Sequence, residues 1–220
     1  MWKQITNHYN EDSQTLEESL YMVGNGYLGV RGCFEEGYLN GDTIRGSYLN
    51  GLYDRVPMVH AEMAYGFPTE QDKQPRILDT QTCEVWLDGE RARLVNGQFD
   101  GYKRTLDFQS GESQRQYVFI TRSGKRAQLM FKRLASFYQK NTLIYKIEVA
   151  YDGEIVLKSM CDTDIENYSN PGDPRTGQGH SKLMTLSSLT YEGLCVHAQM
   201  QTKTSKIDQA VTIMHSVKIG

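Results

Sequence analysis

Closely spaced glycine turns are the feature that most restricts how this chain can fold. From residue 77 onward, short runs of strand-forming residues alternate with turn dipeptides, among them Asp88-Gly89, Asn96-Gly97, Ser123-Gly124 and Asp152-Gly153. Asp-Gly between two such runs predicts a β-hairpin, because both central residues of a type I′ turn need a positive φ. Many short strands separated by glycine turns favour an antiparallel sandwich or barrel.

The runs between these turns predict strands rather than helices. In the run 142–150 every second residue is apolar, as a half-buried antiparallel strand requires: Leu143, Tyr145, Ile147 and Val149. Helical periodicity is nearly absent after residue 21. The expected strands cover residues 83–87, 90–95, 102–108, 116–122, 127–134, 142–150, 154–160, 189–200 and 209–217, with one or two more in 21–31.

Two segments predict loops instead. Residues 38–66 are broken by Gly and Pro and hold many tyrosines, and residues 167–180 are rich in Pro, Gly, Asn and Asp. Long loops on a sheet scaffold are where binding residues usually lie. Any binding function is therefore expected in the loops.

Charge and composition exclude several classes of protein. The 220 residues include 24 Lys and Arg against 27 Asp and Glu, whereas a nucleic-acid-binding domain needs a clearly basic surface. The 2 Trp, 14 Tyr and 7 Phe are too many for a disordered chain. We expect no membrane span, because no apolar run approaches about 18 residues, and no secretory signal. Four scattered cysteines fit a reducing cytoplasm, and we predict one cytoplasmic domain over residues 1–220.

Two motifs resemble cofactor or metal sites, but each lacks the context that such a site needs. Residues 24–29 match GxGxxG, yet three further glycines by Gly41 exclude the helix that holds a dinucleotide. His60-Ala-Glu62 resembles half of a zinc deaminase motif whose PCxxC half is missing. We therefore expect neither a nucleotide cofactor nor a metal.

Some residues remain as candidates for binding. The adjacent carboxylates Glu35 and Glu36 lie inside a distinctive glycine-rich motif, although a solvated turn is the favoured interpretation from sequence alone. His180 ends the polar loop and is the histidine best placed for a function. Loops rich in Tyr, Arg, Asp and Asn suit sugars, since aromatic faces stack on a pyranose while polar groups bond its hydroxyls. The alternative is that the tyrosines only span core and surface.

The glycine-rich motif carries a more specific resemblance. The stretch 18–36 resembles the N-terminal signature of glycoside hydrolase family 65, which includes maltose, kojibiose and trehalose phosphorylases. The opening residues 2–5 and the stretch 46–54 also resemble the family, and the resemblance extends over essentially the whole chain. The signature positions kept are Glu18, Gly24, Asn25, Gly26, Tyr27, Gly29, Arg31, Gly32, Glu35 and Glu36.

The resemblance implies a fold and a role. The fold is a large antiparallel super-sandwich similar to galactose mutarotase, and in the family a catalytic (α/α)6 barrel follows it. No helical-repeat pattern is present here, so we expect neither the catalytic glutamate nor the phosphate site in this chain. The family implies a phosphorylase or hydrolase of an α-linked glucose disaccharide, with inorganic phosphate as co-substrate, no cofactor, and a homodimer.

This chain would then be a non-catalytic domain that packs on the barrel and shapes the mouth of the active site. The signature glycines and Arg31 are expected to be scaffold and interface residues more than catalysts. The candidate binding residues are Asn25, Tyr27, Arg31, Glu35 and Glu36 of the signature, with Tyr53 and His180 in the loops.

Two other functions stay open. The chain is also compatible with a stand-alone carbohydrate-binding module, which would bind glucose or maltose by itself. A third alternative is an aldose epimerase of the mutarotase type, which needs a histidine acid and a glutamate base at the sugar ring. His180 and several glutamates are available, but no spacing selects them.

Overall fold

The computed structural model describes residues 2–37, 43–58, 62, 64–170 and 181–220. These residues form one α-helix, a short 3₁₀ turn and sixteen strands, so the prediction of an all-β antiparallel fold with few helices is confirmed. In chain order the elements are β1 (Lys3–Thr6), the 3₁₀ turn (Glu11–Ser13), α1 (Gln14–Leu20), β2 (Val23–Gly24), β3 (Leu28–Val30), β4 (Ser47–Leu49), β5 (Asp54–Pro57), β6 (Glu70–Lys73), β7 (Cys83–Leu87), β8 (Glu90–Ala92), β9 (Gln98–Asp107), β10 (Ser113–Ile120), β11 (Arg126–Ala135), β12 (Leu143–Ala150), β13 (Ile155–Ser159), β14 (Met184–Glu192), β15 (Cys195–Thr202) and β16 (Asp208–Met214).

The chain divides into two compact units. The first comprises Met1–Asn50 with Thr80–Cys161, and the second comprises Gly51–Asp79 with Asp162–Gly220. The single domain predicted over residues 1–220 stays a prediction. Within the described residues, no helix is long and apolar enough to cross a membrane.

The first unit contains three antiparallel sheets. The largest has the strand order β1-β9-β10-β11-β12, and the two smaller ones are β13-β7-β8 and β2-β3-β4. The predicted Asp88-Gly89 hairpin is confirmed: Leu87 pairs with Glu90, and the two turn residues have φ values of 48° and 79°. The turn at residues 152–153 precedes β13, which pairs with β7 rather than with β12.

A hydrophobic core fills the first unit between its sheets. Along β10 and β11 every second residue is buried, as the two-residue period of a strand requires. Burying one such large side chain contributes roughly 1.5–3 kcal/mol. The buried cluster consists of Phe34, Val85, Leu87, Ala92, Leu94, Tyr102, Tyr117, Phe119, Ala127, Leu129 and Phe131.

A β-bulge explains why the pattern of β9 is harder to recognise. Gln116 pairs with Lys103 and Val118 with Asp100, so two residues of β9, Gly101 and Tyr102, lie opposite one residue of β10. Gly101 has a φ of +64°, which glycine adopts without steric cost. The bulge shifts the phase of alternation, so the prediction that this strand begins at residue 102 was wrong by four residues.

The second unit contains the sheet β14-β15-β16 and the two-stranded sheet β5-β6. The buried carboxylate of Asp54, at the start of β5, accepts hydrogen bonds from the backbone N–H of Thr204 (3.1 Å) and Ser205 (2.7 Å). These bonds hold the turn between β15 and β16 against β5.

Two sequence predictions need correction in these regions. The run 189–200 is not one strand, because the chain turns at Gly193, with a φ of +57°, to form the hairpin of β14 and β15. The hairpin was not predicted, because Gly193 is a single glycine with no second turn residue beside it. Residues 38–66, expected to be loops, contain β4 and β5, which are only three and four residues long and too short to show a period.

Candidate functional site

The signature begins with a tight turn built around Asn25, between β2 and β3. The Asn25 Oδ1 accepts hydrogen bonds from the backbone N–H of Tyr27 (3.0 Å) and Leu28 (2.9 Å). Its Nδ2 donates to the carbonyls of Ser136 (2.6 Å) and Lys140 (2.9 Å), which lie in the loop between β11 and β12. Both ends of the Asn25 amide are therefore used to join two loops.

Next to this turn, Arg31 links the end of β3 to α1. Its guanidinium lies 3.5 Å from the Glu18 carboxylate and donates to the Thr15 carbonyl (3.2 Å). Glu18 is fully buried and also accepts from the backbone N–H of Ile44 (3.0 Å) and from the Thr43 hydroxyl. A buried charge needs such partners because its desolvation is expensive.

Glu35 and Glu36 end the signature and lie in the interior of the first unit. Arg115 donates to Glu36 (2.7 Å) and to Glu35 (2.8 Å), and Arg133 also pairs with Glu35. The Tyr117 hydroxyl donates to Glu36 (3.0 Å). The sequence-based interpretation of these two carboxylates as a solvated turn was therefore wrong, because both are buried and carry arginine partners from β10 and β11.

The arginines come from the inward-facing positions of three adjacent strands. Arg115 of β10 lies directly opposite Arg104 of β9, and Arg133 of β11 pairs with Ser113, two residues before Arg115. All three arginines are buried. We call Glu35, Glu36, Arg104, Arg115 and Arg133 the buried charge cluster.

Aromatic rings and a third carboxylate, that of Glu17, complete the surroundings of the arginines. The Arg115 guanidinium carbon lies 4.2 Å from the ring centre of Phe34 and 4.3 Å from that of Phe131. Arg104 lies 4.3 Å from the ring centre of Tyr21 and 3.5 Å from the Glu17 carboxylate. Cation–π contacts of this kind are strongest where both groups are desolvated.

The charges in the cluster stabilise one another. Burial alone would raise the pKa of Glu35, but Arg133 and Arg115 outweigh burial and lower this pKa to about 2. Burial lowers the pKa of Arg115, but Glu36 and Glu35 reverse that effect and raise it well above its usual value. Burial and the Glu36 charge both raise the pKa of Tyr117. A carboxyl with a lowered pKa is ionised at neutral pH and does not donate a proton as a general acid.

The remaining candidates are Tyr27, Tyr53 and His180. Tyr27 is 40% exposed, on the turn that Asn25 forms, and Tyr53 is 41% exposed in the second unit, next to β5. His180 and His60 lie outside the described residues. In the part of the chain that the structure describes, no group of three or more His, Cys, Asp or Glu side chains is arranged to hold a metal ion.

Arg115 and Arg133 were not predicted from the sequence, although a signal was present. Arg115 is in phase with Tyr117 and Phe119 along β10, and Arg133 is in phase with Phe131 along β11. Extending the two-residue period by one step beyond the apolar residues would have placed both arginines on the buried face. A buried arginine in turn requires a carboxylate partner, and Glu35-Glu36 is a pair of adjacent carboxylates.

Comparisons with known proteins agree with the resemblance of the signature. Residues 4–219 match the family model described as glycosyl hydrolase family 65, N-terminal domain. An α,α-trehalose phosphorylase of Geobacillus stearothermophilus is 37% identical over 217 residues, which cover 96% of this chain and 28% of the relative. A kojibiose phosphorylase of Halothermothrix orenii is 30% identical over 169 residues, covering 76% of this chain and 20% of the relative.

One solved structure supports the same fold. A putative kojibiose phosphorylase from the human microbiome superimposes with a TM-score of 0.82 at 20% identity, covering 99% of this chain and 28% of its own chain. This likeness concerns the fold. This chain spans less than a third of the length of each of these proteins.

Proposed function

Because the chain belongs to the N-terminal domain family of glycosyl hydrolase family 65, we propose that it is the non-catalytic N-terminal domain of a disaccharide phosphorylase in carbohydrate metabolism. The observation that carries this proposal is the family match over residues 4–219, in a chain that spans 28% of the trehalose phosphorylase relative. The proposed substrate class is an α-linked glucose disaccharide, because the relatives are named for trehalose, kojibiose and maltose.

The proposed role of this domain is to shape the mouth of the active site and to pack on a catalytic (α/α)6 barrel. The buried charge cluster supports a scaffold role for the signature, because Arg115 and Arg133 pair with Glu35 and Glu36 inside the first unit. The partners implied by the family are this barrel, the disaccharide and a second copy in a homodimer. We also propose a cytoplasmic location, which the four scattered cysteines support, because sparse and unpatterned cysteine fits a reducing compartment.

The proposed chemistry of the parent takes place outside this chain. A glutamic acid of the barrel would protonate the glycosidic oxygen while inorganic phosphate attacks the anomeric carbon with inversion. The bond from the anomeric carbon to the leaving sugar breaks as the bond to a phosphate oxygen forms. Phosphate is thus a co-substrate, and no cofactor is proposed.

The test uses the longer gene product that carries this chain. We expect glucose 1-phosphate and glucose from at least one of trehalose, kojibiose and maltose when phosphate is present. Without phosphate, turnover should fall to background, whereas release of glucose at an unchanged rate would indicate a hydrolase. Turnover by the 220-residue chain alone would contradict the assignment as a non-catalytic domain.

A second candidate function, carbohydrate binding by the chain itself, is supported by an arrangement of exposed aromatic residues. The two hydrogen bonds of Asn25 Nδ2 hold the turn that carries Tyr27 against the loop that carries Phe137 and Tyr138. Phe137 is 68% exposed and Tyr138 is 95% exposed. Aromatic rings held at low entropic cost suit stacking on the apolar face of a sugar.

Isothermal titration calorimetry of the 220-residue chain with maltose, trehalose and glucose tests this second candidate. We expect saturable binding in the millimolar range that Tyr138→Ala weakens at least tenfold. Tyr191→Ala in β14 is the control, since Tyr191 is also an exposed tyrosine. No heat of binding at millimolar sugar would exclude this function.

A further inference from the structure

Helix α1 buries its polar face and exposes its apolar face, the reverse of an ordinary surface helix. Residues at i, i+3, i+4 and i+7 form one face of a helix and normally carry the apolar side chains. Here those positions and the residue after the helix hold polar or aromatic side chains that are all buried: Gln14, Glu17, Glu18 and Tyr21. Leu16 and Leu20, one turn apart, are 60% and 44% exposed.

Ion pairs explain why the polar face points inward. Glu17 lies 3.5 Å from Arg104, and Glu18 lies 3.5 Å from Arg31 and accepts from the backbone N–H of Ile44. Rotating the helix to bury the leucines would remove both carboxylates from their arginines and leave buried Arg104 short of a partner. That change is costly, so the orientation of α1 is set by its charges.

The outward face of α1 has the composition of an interface rather than of a solvated surface. Its exposed residues are uncharged, namely Thr15, Leu16, Ser19 and Leu20, and Met22, two residues after the helix, is 50% exposed. An exposed helix face normally carries charged residues, whereas the centres of interfaces are depleted of charge. We call Leu16, Leu20 and Met22 the α1 patch.

We propose that the α1 patch is a docking surface for an uncharged, apolar face of the remaining polypeptide in the longer protein to which this domain belongs. The inference rests on the proposed function and adds the surface that makes the contact. The trehalose phosphorylase relative has 28% of its length in the match, so most of its chain lies outside the matched region and is covalently connected to it.

The size of the patch favours this occupant over a second copy of the chain. A stable interface between separate molecules needs roughly 20–30 residues on each side, far more than the α1 patch supplies. A covalently linked segment is present at an effective concentration in the millimolar range or above. A few apolar side chains are then enough to hold it.

The test compares the 220-residue chain with the longer gene product by amide hydrogen exchange. In the longer protein we expect exchange of the α1 amides to be at least tenfold slower than in the 220-residue chain, and the double variant Leu16→Gln/Leu20→Gln should remove that difference. Glutamine is chosen because it keeps the helix propensity high. Phe108→Gln is the matched control, since Phe108 is 57% exposed and lies outside α1.

Urea unfolding of the 220-residue chain checks whether the double variant is destabilised. The double variant should unfold at a urea concentration close to that of the original chain, because Leu16 and Leu20 are 60% and 44% exposed. Loss of stability there, equal α1 exchange in the two proteins, or a dimer of the 220-residue chain that the double variant dissociates would each overturn the proposal. If the longer protein lacks phosphorolysis but shows the α1 protection, the proposed function fails and the docking surface stands.

Discussion

The inner faces of β10 and β11 have two halves, one of which buries apolar side chains and the other charged side chains. One half, with Phe119 and Leu129, is apolar and packs in the hydrophobic core. The other half carries Arg115 and Arg133, equally buried, on the same strands and in the same phase. The apolar half needs only shape and volume to be matched, whereas the charged half needs each partner at the correct position.

The comparison explains what the signature does in this domain. The adjacent carboxylates of Glu35 and Glu36 supply the negative charge that the charged half requires. Arg31 and Glu18 form a second buried link from β3 to α1, and Asn25 joins two loops. The polar residues of the signature therefore act as internal connectors.

Replacing Arg115 by methionine should have the largest effect. Arg115→Met keeps much of the volume but leaves buried Glu36 without its arginine and Glu35 with Arg133 alone. We therefore expect a loss of about 5 kcal/mol of unfolding free energy, at the upper end for a broken buried pair. The loss should shrink as the pH is lowered from 7 to 4, because Arg115 is one of the two arginines that lower the pKa of Glu35, and without it Glu35 binds a proton at a higher pH. Chemical denaturation followed by circular dichroism measures the unfolding free energy at each pH. Arg122→Met at an exposed site is the control and should leave the unfolding free energy unchanged. An equal loss at both pH values would show that packing dominates the charged half as well.

Truncating the apolar half should come second. Phe119→Ala removes a buried ring, for which we expect a loss of about 3 kcal/mol that does not vary between pH 7 and pH 4. The same denaturation measurement applies, with Phe137→Ala at an exposed position as the control. A pH-dependent loss for Phe119→Ala would contradict the proposed difference between the two halves.

Removing the loop connector should have a smaller and more local effect. Asn25→Ala should cost about 1–2 kcal/mol, because it removes several hydrogen bonds of a half-buried amide. Asn25→Asp keeps the acceptors for Tyr27 and Leu28 but loses the donor to the loop between β11 and β12. Amide exchange in residues 136–142 should therefore accelerate in both variants, and unchanged exchange in either would argue against the connector role.

The mildest test is the acid dependence of the unmodified chain. Since the pKa of Glu35 is lowered from 4.5 to about 2 in the folded state, its ionised form contributes stability that is complete above about pH 5. That contribution is lost as the pH falls from about 4.5 towards 2, where the folded protein also binds the proton. Unfolding free energies measured between pH 6 and pH 3 should decline in this window. A flat profile would mean that the cluster does not hold Glu35 as an anion.

Local patterns were enough to predict most strands and one hairpin. The Asp88-Gly89 turn was predictable because its φ values are set by the two residues themselves, and the strand at 142–150 because its period is local. The bulge at Gly101 and the turn at Gly193 were not predicted. The bulge shifts the alternation of buried residues along β9, and the turn ends β14 at a single glycine with no second turn residue beside it. Residues 38–66 predict loops by their sequence, because β4 and β5 are too short to show periodicity.

The amino-acid sequence alone was sufficient to predict the signature with its family resemblance, the antiparallel all-β class and a turn at Asn25. These depend on residues within a few positions of one another. The burial of Glu35 and Glu36 became evident from the three-dimensional fold, because their arginine partners lie 79 to 98 residues further along the chain. The fold also showed that α1 faces inward with its carboxylates, because Arg104 comes from β9, 87 residues after Glu17. The partner of a charge depends on strand register over long separations, which no local pattern contains.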